Sequence, residues 1–467
     1  MRETLEREIK LTPGEGFVMP QLGAPIPSRI FVTTYHDTAD LRLARRGITL
    51  RYRVEDGSGV WQLKLPQGNA RLELESGGTP VAPATELLEL LTVHLRGETL
   101  LPVARLRTRR DGMRTADAEI VEDNVSVMDG LRVKQRFREL EVELLHGGDE
   151  TLRRIERELR AAGAEVTNGQ PKLHRVLDLG EPQREIEIPP GASPREALAL
   201  ALAEQGRRLL LHDPGTRLGR DPEELHQLRV ATRRTRAFLR AARPVVGREW
   251  ADSLRASLQA VGSALGPVRD LDVLEERFRE VIAAEELDAE AAAPLLEDLA
   301  RERDVARVEM LGTMNAPAYL DLVERLATTA KADLPKQRKA PTLDDVARAE
   351  IRRARRFARS LDASPPDEAL HELRILVKRA RYATELASHE LGDRATPILK
   401  AAKQLQQVLG DHQDAVVADG FLESALCATP VTADVVARLR EAEEARRMSG
   451  RARWAEAWNA FEVAAKA

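Results

Sequence analysis

Cys427 is the single cysteine in 467 residues. A lone thiol excludes a disulfide framework and any metal centre built from cysteines. Aromatic residues make up 3% of the chain, which leaves little for stacking on bases and disfavours nucleic acid as a partner. No apolar run approaches the ~18–20 residues of a membrane-spanning helix, so no membrane partner is expected. The opening residues Met1 to Glu8 lack the apolar core of a secretory leader, and the sequence predicts a cytoplasmic protein. An excess of one charge is missing too: 72 Lys and Arg stand against 76 Asp and Glu, for a net charge of −4. The chain as a whole therefore does not attract polyanions, and any anion site must come from local placement of charge.

What the sequence does contain is charge in quantity, at 32% of residues, with 43% hydrophobic residues to build interiors. The length exceeds one ordinary core and predicts two or three domains. Most of the basic residues are arginine, whose planar fork matches phosphate oxygens two at a time.

Up to about residue 180 the dominant period is two, the period of β-strands. Leu5, Ile9 and Leu11 alternate with Glu6, Glu8 and Lys10. Leu50, Tyr52 and Val54 oppose Arg51 and Arg53; Trp61, Leu63 and Leu65 oppose Gln62 and Lys64. Leu72 and Leu74 oppose Arg71, Glu73 and Glu75, and Leu140, Val142 and Leu144 oppose Glu139, Glu141 and Glu143. Short helical patterns interrupt near Thr85–Arg96 and Glu150–Ala162. A wet sheet face usually mixes polar residues, whereas these second faces carry charge on strand after strand. The pattern predicts a closed antiparallel barrel with a charged lumen and an apolar outside covered by the helices.

A segment rich in proline and glycine near 181–195 ends in Ser193-Pro194, a helix N-cap and first-turn pair. The expected division is a first domain over 1–182, a linker over 183–194 and a second domain over 195–467. From there the period is helical. Breaks near Asp213–Gly219, Arg243–Gly247, Gly266–Pro267, Asp333–Thr342, Ser364–Pro366, Gly392 and Thr429–Pro430 predict roughly eight or more packed helices. This half also repeats itself. His226, Arg229, Arg233, Arg234 and Arg236 recur as His371, Arg374, Lys378, Arg379 and Arg381, and Leu265–Asp270 recurs as Leu409–Asp414.

Both halves carry chemistry suited to phosphate. Hydrolysis of a triphosphate needs cations to hold its oxygens, a divalent metal to neutralise developing charge and a positioned water. Residues two apart on a strand share a face, so Glu6 and Glu8, with Glu139, Glu141 and Glu143, can supply oxygen ligands of the kind magnesium prefers. Lys10, Arg51, Arg53, Lys64, Arg71 and the run Arg105, Arg107, Arg109 can supply the phosphate clamps. Of that run, Arg107 and Arg109 are the expected substrate contacts, although its alternation leaves open which arginines face inward.

These residues carry a resemblance. Glu6-Arg-Glu8-Ile-Lys10 resembles the signature of the CYTH superfamily, the triphosphate tunnel metalloenzymes, and the likeness continues through Tyr35–Arg53, Trp61–Lys64, Arg71–Glu73, Glu139–Glu143 and Pro171-Lys172. It implies an eight-stranded closed barrel, dependence on Mg²⁺ or Mn²⁺, and hydrolysis of a triphosphate threaded into the tunnel. By motif match, Glu6, Glu8, Asp123, Glu139 and Glu141 are the implied metal ligands. Lys10, Arg51, Arg53, Lys64, Arg107 and Lys172 are the implied phosphate contacts. Glu6 or Glu8 would orient the water, so Glu6, Glu8 and Lys10 form the expected catalytic group.

In the helical half, His226, Arg229, Arg233, Arg236 and Arg240 fall within a narrow arc at helical spacing. His371, Arg374, Lys378 and Arg381 repeat the same offsets. Solvated faces normally mix acids and bases for pairing one turn apart, and these stripes do not. Two such stripes related by a pseudo-twofold would form a basic groove for an extended polyanion, and the scarcity of aromatics favours inorganic polyphosphate. Residues 195–467 resemble the CHAD family, named for a conserved-histidine α-helical domain. That resemblance implies two pseudo-symmetric four-helix bundles and polyphosphate binding along a basic surface.

The expected function is metal-dependent hydrolysis of inorganic triphosphate or short polyphosphate, with the helical half binding longer polyphosphate or placing the enzyme on polyphosphate granules. Alternatives are a polyphosphate-binding protein with an inactive barrel, a thiamine triphosphatase and an adenylate cyclase.

Overall fold

The computed structural model describes residues 1–68, 70–167, 169–180, 185–428 and 433–466. The expected start of the linker at 183, the break at Thr429–Pro430 and the side chain of Cys427 lie outside the described residues. The chain divides into two compact units, Met1–Glu185 and Ile186–Ala467.

In the first unit, the alternating segments form strands β1 (Arg2–Glu6), β2 (Glu8–Pro13), β3 (Ala24–Asp37), β4 (Thr49–Glu55), β5 (Ser58–Gln67), β6 (Ala70–Ser76), β7 (Leu101–Arg114), β8 (Ala118–Asp129), β9 (Arg132–Leu144) and β10 (Ala164–Val166). Asp56 and Gly57, with φ of 48° and 79°, turn β4 into β5 as an Asp-Gly hairpin requires. The helices are α1 (Arg42–Arg45), α2 (Thr85–Leu90), α3 (Thr92–Leu95), α4 (Asp149–Ala161) and α5 (Lys172–Val176). Leu152, Ile155 and Leu159 of α4 cover one apolar face, packing on Leu11, Ile120, Leu140 and Val142. A second apolar group, Leu106, Val125, Val127 and Phe137, packs with Leu173 of α5.

The closed barrel expected from the pattern, with the eight strands that the resemblance implies, is not what forms. The sheet has ten strands in the open order β1-β6-β5-β4-β3-β7-β8-β9-β2-β10. The reason lies in the N-terminal segment, which divides at Arg7: residues 2–6 pair with β6, while residues 8–11 pair with β9. One covalent segment thus supplies two strands at distant places in the hydrogen-bonding order, and the short β10, paired with β2, makes the tenth. Because Glu6 and Glu8 are two apart across this junction, both carboxylates line the same cavity.

The second unit is helical: α6 (Pro194–Leu218), α7 (Pro222–Ala241), α8 (Arg243–Val246), α9 (Arg248–Ala284), α10 (Ala289–Asn315), α11 (Pro317–Ala327), α12 (Leu343–Ala358), α13 (Asp367–Leu386), α14 (Ser388–Leu391), α15 (Ala395–Ala428) and α16 (Ala433–Ala464). Ser193 and Glu196 close a capping box with Pro194 in the first turn, which fixes where α6 starts. The break expected near Asp213–Gly219 falls at its end, where α6 stops at Leu218 and Gly219 caps it. The break expected at Gly266–Pro267 is absent, since both residues lie inside α9. Pro214 likewise sits inside α6, so packing outweighs the missing backbone donor of each proline. One apolar core joins α12, α13, α15 and the end of α16. Another joins the later part of α9 to α10, α15 and the start of α16. None of the described helices is long and apolar enough to cross a membrane.

A buried polar knot ties α6 to α10 and α11. Asp213 is fully buried and accepts from Arg217 Nε at 2.6 Å and from the Tyr319 hydroxyl at 2.7 Å. Arg217 also donates to Asn315 Oδ1 at 2.5 Å and to the Met314 carbonyl at 2.7 Å. Burial pushes the Asp213 carboxyl up despite Arg217, so every donor to it counts. Tyr319→Phe removes one donor to a buried charged acceptor and is expected to cost about 1.5–3 kcal/mol. The check is a lower midpoint of urea unfolding; an unchanged midpoint would show the hydroxyl to be dispensable.

Candidate functional site

The sheet of the first unit lines a cavity of about 320 Å³. Its walls are polar because most of the strands that line it turn charged side chains inward, and the two sides differ in sign. On the side of β2, β8 and β9, carboxylates predominate and three cations are held among them. Lys172 at the start of α5 is 2.6 Å from Glu141, 2.8 Å from Glu139 and 2.9 Å from Asp123. Lys10 stands 3.2 Å from both Glu8 and Glu141. Arg110 forms a fork on Asp123 at 2.7 Å through each arm and reaches Glu141 at 2.6 Å. Burial alone would raise these carboxyls. The nearby cations outweigh it, so Glu141 lies well below the usual carboxylate range, and Asp123 and Glu8 also lie low. Lys172 is held well above its ordinary value by the same partners.

The side of β4, β5 and β6 is richer in cations. Arg51 donates to Gln62 Oε1 at 2.7 Å and approaches Glu73 at 3.6 Å. Lys64 pairs with Glu6 and lies 3.2 Å from Glu73. Arg53 lies 2.5 Å from Glu55 and stacks 3.8 Å above the Phe31 ring. Arg71 donates to the Gly47 carbonyl at 2.6 Å and forms no ion pair among the described residues. Burial, with Arg51 adding to it, holds the Arg71 guanidinium below its ordinary value although the Glu8 and Glu6 carboxylates pull the other way, because removing a cation from water is costly. Burial, together with the neighbouring Glu73 carboxylate, pushes Glu6 up to about 8, while Lys64 and Arg51 help hold Glu73 near about 2. The pair therefore retains a proton near neutral pH.

The structure brings Glu6, Glu8, Lys10, Arg51, Arg53, Lys64, Arg71, Asp123, Glu141 and Lys172 to this cavity. Glu139 joins through Lys172. Arg107 and Arg109 are not there. Both are exposed on the opposite face of β7, and Leu106, Thr108 and Arg110 face inward instead. Three arginines in alternation resemble an inward face, but the even positions of β7 pair with the inner positions of β3 and β8: Phe31 with Thr108, and Arg110 with Asp123. The overlooked Arg110 shares parity with Leu106 and Thr108, as Arg114 does, and only the pairing with β3 and β8 turns that parity inward. Asp37, within the Tyr35–Arg53 motif, has a structural role, since its carboxylate accepts from the backbone of Thr38, Leu43 and Ala44 and fixes α1.

No group of three or more His, Cys, Asp or Glu side chains stands ready to hold a metal ion among the described residues, because lysines and arginines occupy the carboxylates. The donors nevertheless fit a hard divalent cation by type, being oxygen alone. Glu8 also faces Glu143 in register across β2 and β9, a like-charge pair that is unfavourable without a cation beside it. Glu143 forms no ion pair among the described residues, and burial, with Glu8 and Glu119 adding to it, pushes its carboxyl up.

In the helical unit, the repeat seen in sequence becomes a repeat of contacts. Arg229 donates to Asp270 at 2.7 Å, and Arg374 approaches Asp414 at 3.9 Å. Arg236 bonds Gln259, and Arg381 bonds Gln406 at 2.8 Å. His371 sits 2.6 Å from Gln413, whereas burial and Arg269 depress His226. Helix α7 packs against α13, with Arg233 bonded to the Tyr382 hydroxyl at 3.2 Å. Arg229, Arg233, Arg374 and Lys378 thereby face one another closely enough to depress their neighbours. Arg240 belongs to another group, with Arg379 and Arg255 near it.

Burial first, then Arg374 and Arg233, lowers Lys378 from 10.5 to about 7. The folded chain thus binds fewer protons than the unfolded chain between about pH 7 and pH 10.5, so stability rises with pH across that window. Lys378→Met is expected to remove this contribution and flatten the rise in melting temperature between pH 7 and pH 10. An equal rise in both proteins would place the lysine in an unperturbed environment.

Residues 19–170 match the model of the CYTH domain, and residues 200–423 match the model of the CHAD domain. Two uncharacterized proteins of Mycobacterium tuberculosis, MT2285 and Rv2226, are each 29% identical over 446 residues, spanning 87% of this chain and 85% of the relative. Among solved structures, PptA from Streptomyces chartreusis is 21% identical with a TM-score of 0.46, covering 59% of this chain and all of that one. The CHAD domain from Ricinus communis is 25% identical with a TM-score of 0.47, covering 61% of this chain and 95% of that one. A putative adenylyl cyclase from Hippeastrum, described as having a dominant triphosphatase activity, is 18% identical with a TM-score of 0.26 and covers 38% of this chain and 98% of that one. The chain carries a CYTH domain followed by a CHAD domain.

Proposed function

We propose that the cavity of the CYTH domain hydrolyses a phosphoanhydride of inorganic triphosphate or short polyphosphate, and that the helical domain binds inorganic polyphosphate. The observation that supports this reading is a single cavity with a carboxylate-rich side facing a side where Arg51, Arg53 and Arg71 gather and Arg71 forms no direct ion pair among the described residues. Such an arrangement accepts a strongly anionic, extended guest.

Arg51, Arg53, Lys64 and Arg71 bind and orient the phosphate oxygens, and Lys10, Arg110 and Lys172 extend that hold toward the acid-rich side. Glu8, Glu141 and Glu143 would hold a divalent cation such as Mg²⁺ or Mn²⁺. When bound, the ion supplies charge neutralisation at the phosphoryl group. The Glu6–Glu73 pair keeps one proton near neutral pH, which limits repulsion of an arriving polyanion. Glu8 is positioned to orient the attacking water. The aromatic faces argue for an inorganic guest: Arg53 covers Phe31, leaving that ring unavailable for stacking on a base or thiazole.

Phosphate release by the full chain from tripolyphosphate, ATP and thiamine triphosphate, with Mg²⁺ or Mn²⁺, is the test. Tripolyphosphate is expected to turn over fastest, and Glu8→Gln to reduce turnover by about 100-fold or more, beyond what loss of an outer-shell partner costs. Arg71→Gln is expected to raise KM for tripolyphosphate about ten- to a hundredfold, the loss of one or two charge-assisted hydrogen bonds. Unchanged turnover in the Glu8 variant would refute its role. Preference for ATP with pyrophosphate release would favour a cyclase, and no turnover with polyphosphate still bound would favour a binding protein.

A further inference from the structure

The arginines that the cavity does not use are themselves ordered. On the outer face of β7, β8 and β9, the register places Arg107 opposite Ser126 and Ser126 opposite Arg136. One step along, Arg109 lies opposite Asn124, and Asn124 opposite Arg138. Two parallel rows result, each with an arginine at either end and a small hydrogen-bonding side chain between. Strands lie about 4.8 Å apart and alternate residues about 7 Å apart, so the four arginines mark a rectangle of about 10 by 7 Å. They border a groove of about 730 Å³.

Charge in this groove is poorly neutralised. Arg107 and Arg136 form no ion pair among the described residues. Arg138 pairs with Glu122 at 2.7 Å and Arg109 with Asp111 at 3.1 Å, and those arginines are 44% and 62% exposed, so both pairs are weak and open to exchange. An ordinary solvated face alternates its charges, whereas this one places cations at all four corners. The groove's one ring, Phe137, is buried and capped by Arg175 at 4.4 Å, so no aromatic platform is available to a nucleobase.

We propose that this outer face is a second anion site, open to solvent, that takes a chain of inorganic condensed phosphate. Arg107 and Arg136 grip phosphate oxygens across Ser126, and Arg109 and Arg138 do so across Asn124. The hydroxyl of Ser126 and the amide of Asn124 donate to the oxygens between them. Guanidinium forks suit phosphate oxygens of this kind, and a guest without bases needs no stacking surface. The site lies on the opposite side of β7 from Arg110, so it does not depend on turnover in the cavity.

The test is arginine footprinting on the full chain: modification by phenylglyoxal, read residue by residue by mass spectrometry. It is run at physiological salt with long-chain polyphosphate or with a single-stranded oligonucleotide at equal phosphate concentration. Polyphosphate is expected to slow modification of Arg107 and Arg136 several-fold, with the oligonucleotide giving clearly less protection. No protection at either arginine overturns the proposal. Equal or stronger protection by the oligonucleotide also overturns it and makes the face a nucleic-acid surface. In parallel, Arg107→Gln with Arg136→Gln should abolish protection of Arg109 and Arg138 while leaving tripolyphosphate hydrolysis unchanged. Persistent protection in that variant would overturn the rectangular site.

Discussion

The first unit depends on one constraint: charges taken into a cavity must be neutralised there. Lys172 makes the point most clearly. Its ammonium is almost fully removed from solvent, yet it is held charged by three carboxylates that arrive from two strands. Removing an ion from water costs several kcal/mol even after relaxation, so none of the four groups is tolerable without the others. Asp123 and Glu139 are directly opposite one another on β8 and β9, an arrangement that like charges would oppose. Lys172 and Arg110 reverse the sign of that interaction. The short helix that carries Lys172 also inserts Leu173 among Leu106, Val125 and Phe137, so apolar packing delivers the cation to its place.

The helical unit works from the opposite excess. Where α7 and α13 meet, cations gather, and acids on α9 and α15 aim two of them. Asp270 and Asp414 stand in matched positions beside Arg229 and Arg374, and glutamines, not carboxylates, meet Arg236 and Arg381. A glutamine fixes the direction of a guanidinium without cancelling its charge. Lys378 shows the consequence, since crowding by Arg374 and Arg233 and burial together make its proton easy to lose. An anion among these groups would offset the repulsion between them.

Much of this was legible in the sequence because the inner and outer faces of a strand follow a period of two. Glu6, Glu8, Lys10, Arg51, Arg53, Lys64 and Arg71 each reach the cavity from positions that alternation alone identifies. Two things were not legible. Parity on β7 could not be chosen, because Arg105, Arg107 and Arg109 form as regular an alternation as the inward set, and only pairing with β3 and β8 decides between them. The open ten-stranded order was hidden as well. Nothing local in Glu6-Arg7-Glu8 announces that one extended segment will serve two different neighbours. Proline misled in the helical half for a related reason. Pro267 breaks a pattern in sequence but sits inside a continuous helix, where tertiary contacts decide.

The same parity that misplaced Arg107 and Arg109 explains how one strand can carry cations on both faces without waste. Inside, Arg110 is committed to Asp123 and Glu141 and is mostly buried, so its charge organises the cavity wall. Outside, Arg107 is separated from that network by the thickness of the sheet, and water screens it from the interior. A substitution at one face can therefore change local charge with little effect on the other. Had the outer positions served only solubility, mixed charges would serve at least as well, as they do on α4 with its Arg154–Glu158 and Arg160–Glu156 pairs. The strand face departs from that rule at Arg107 and Arg136, which form no ion pair among the described residues, and it does so where Ser126 keeps the space between them small and polar.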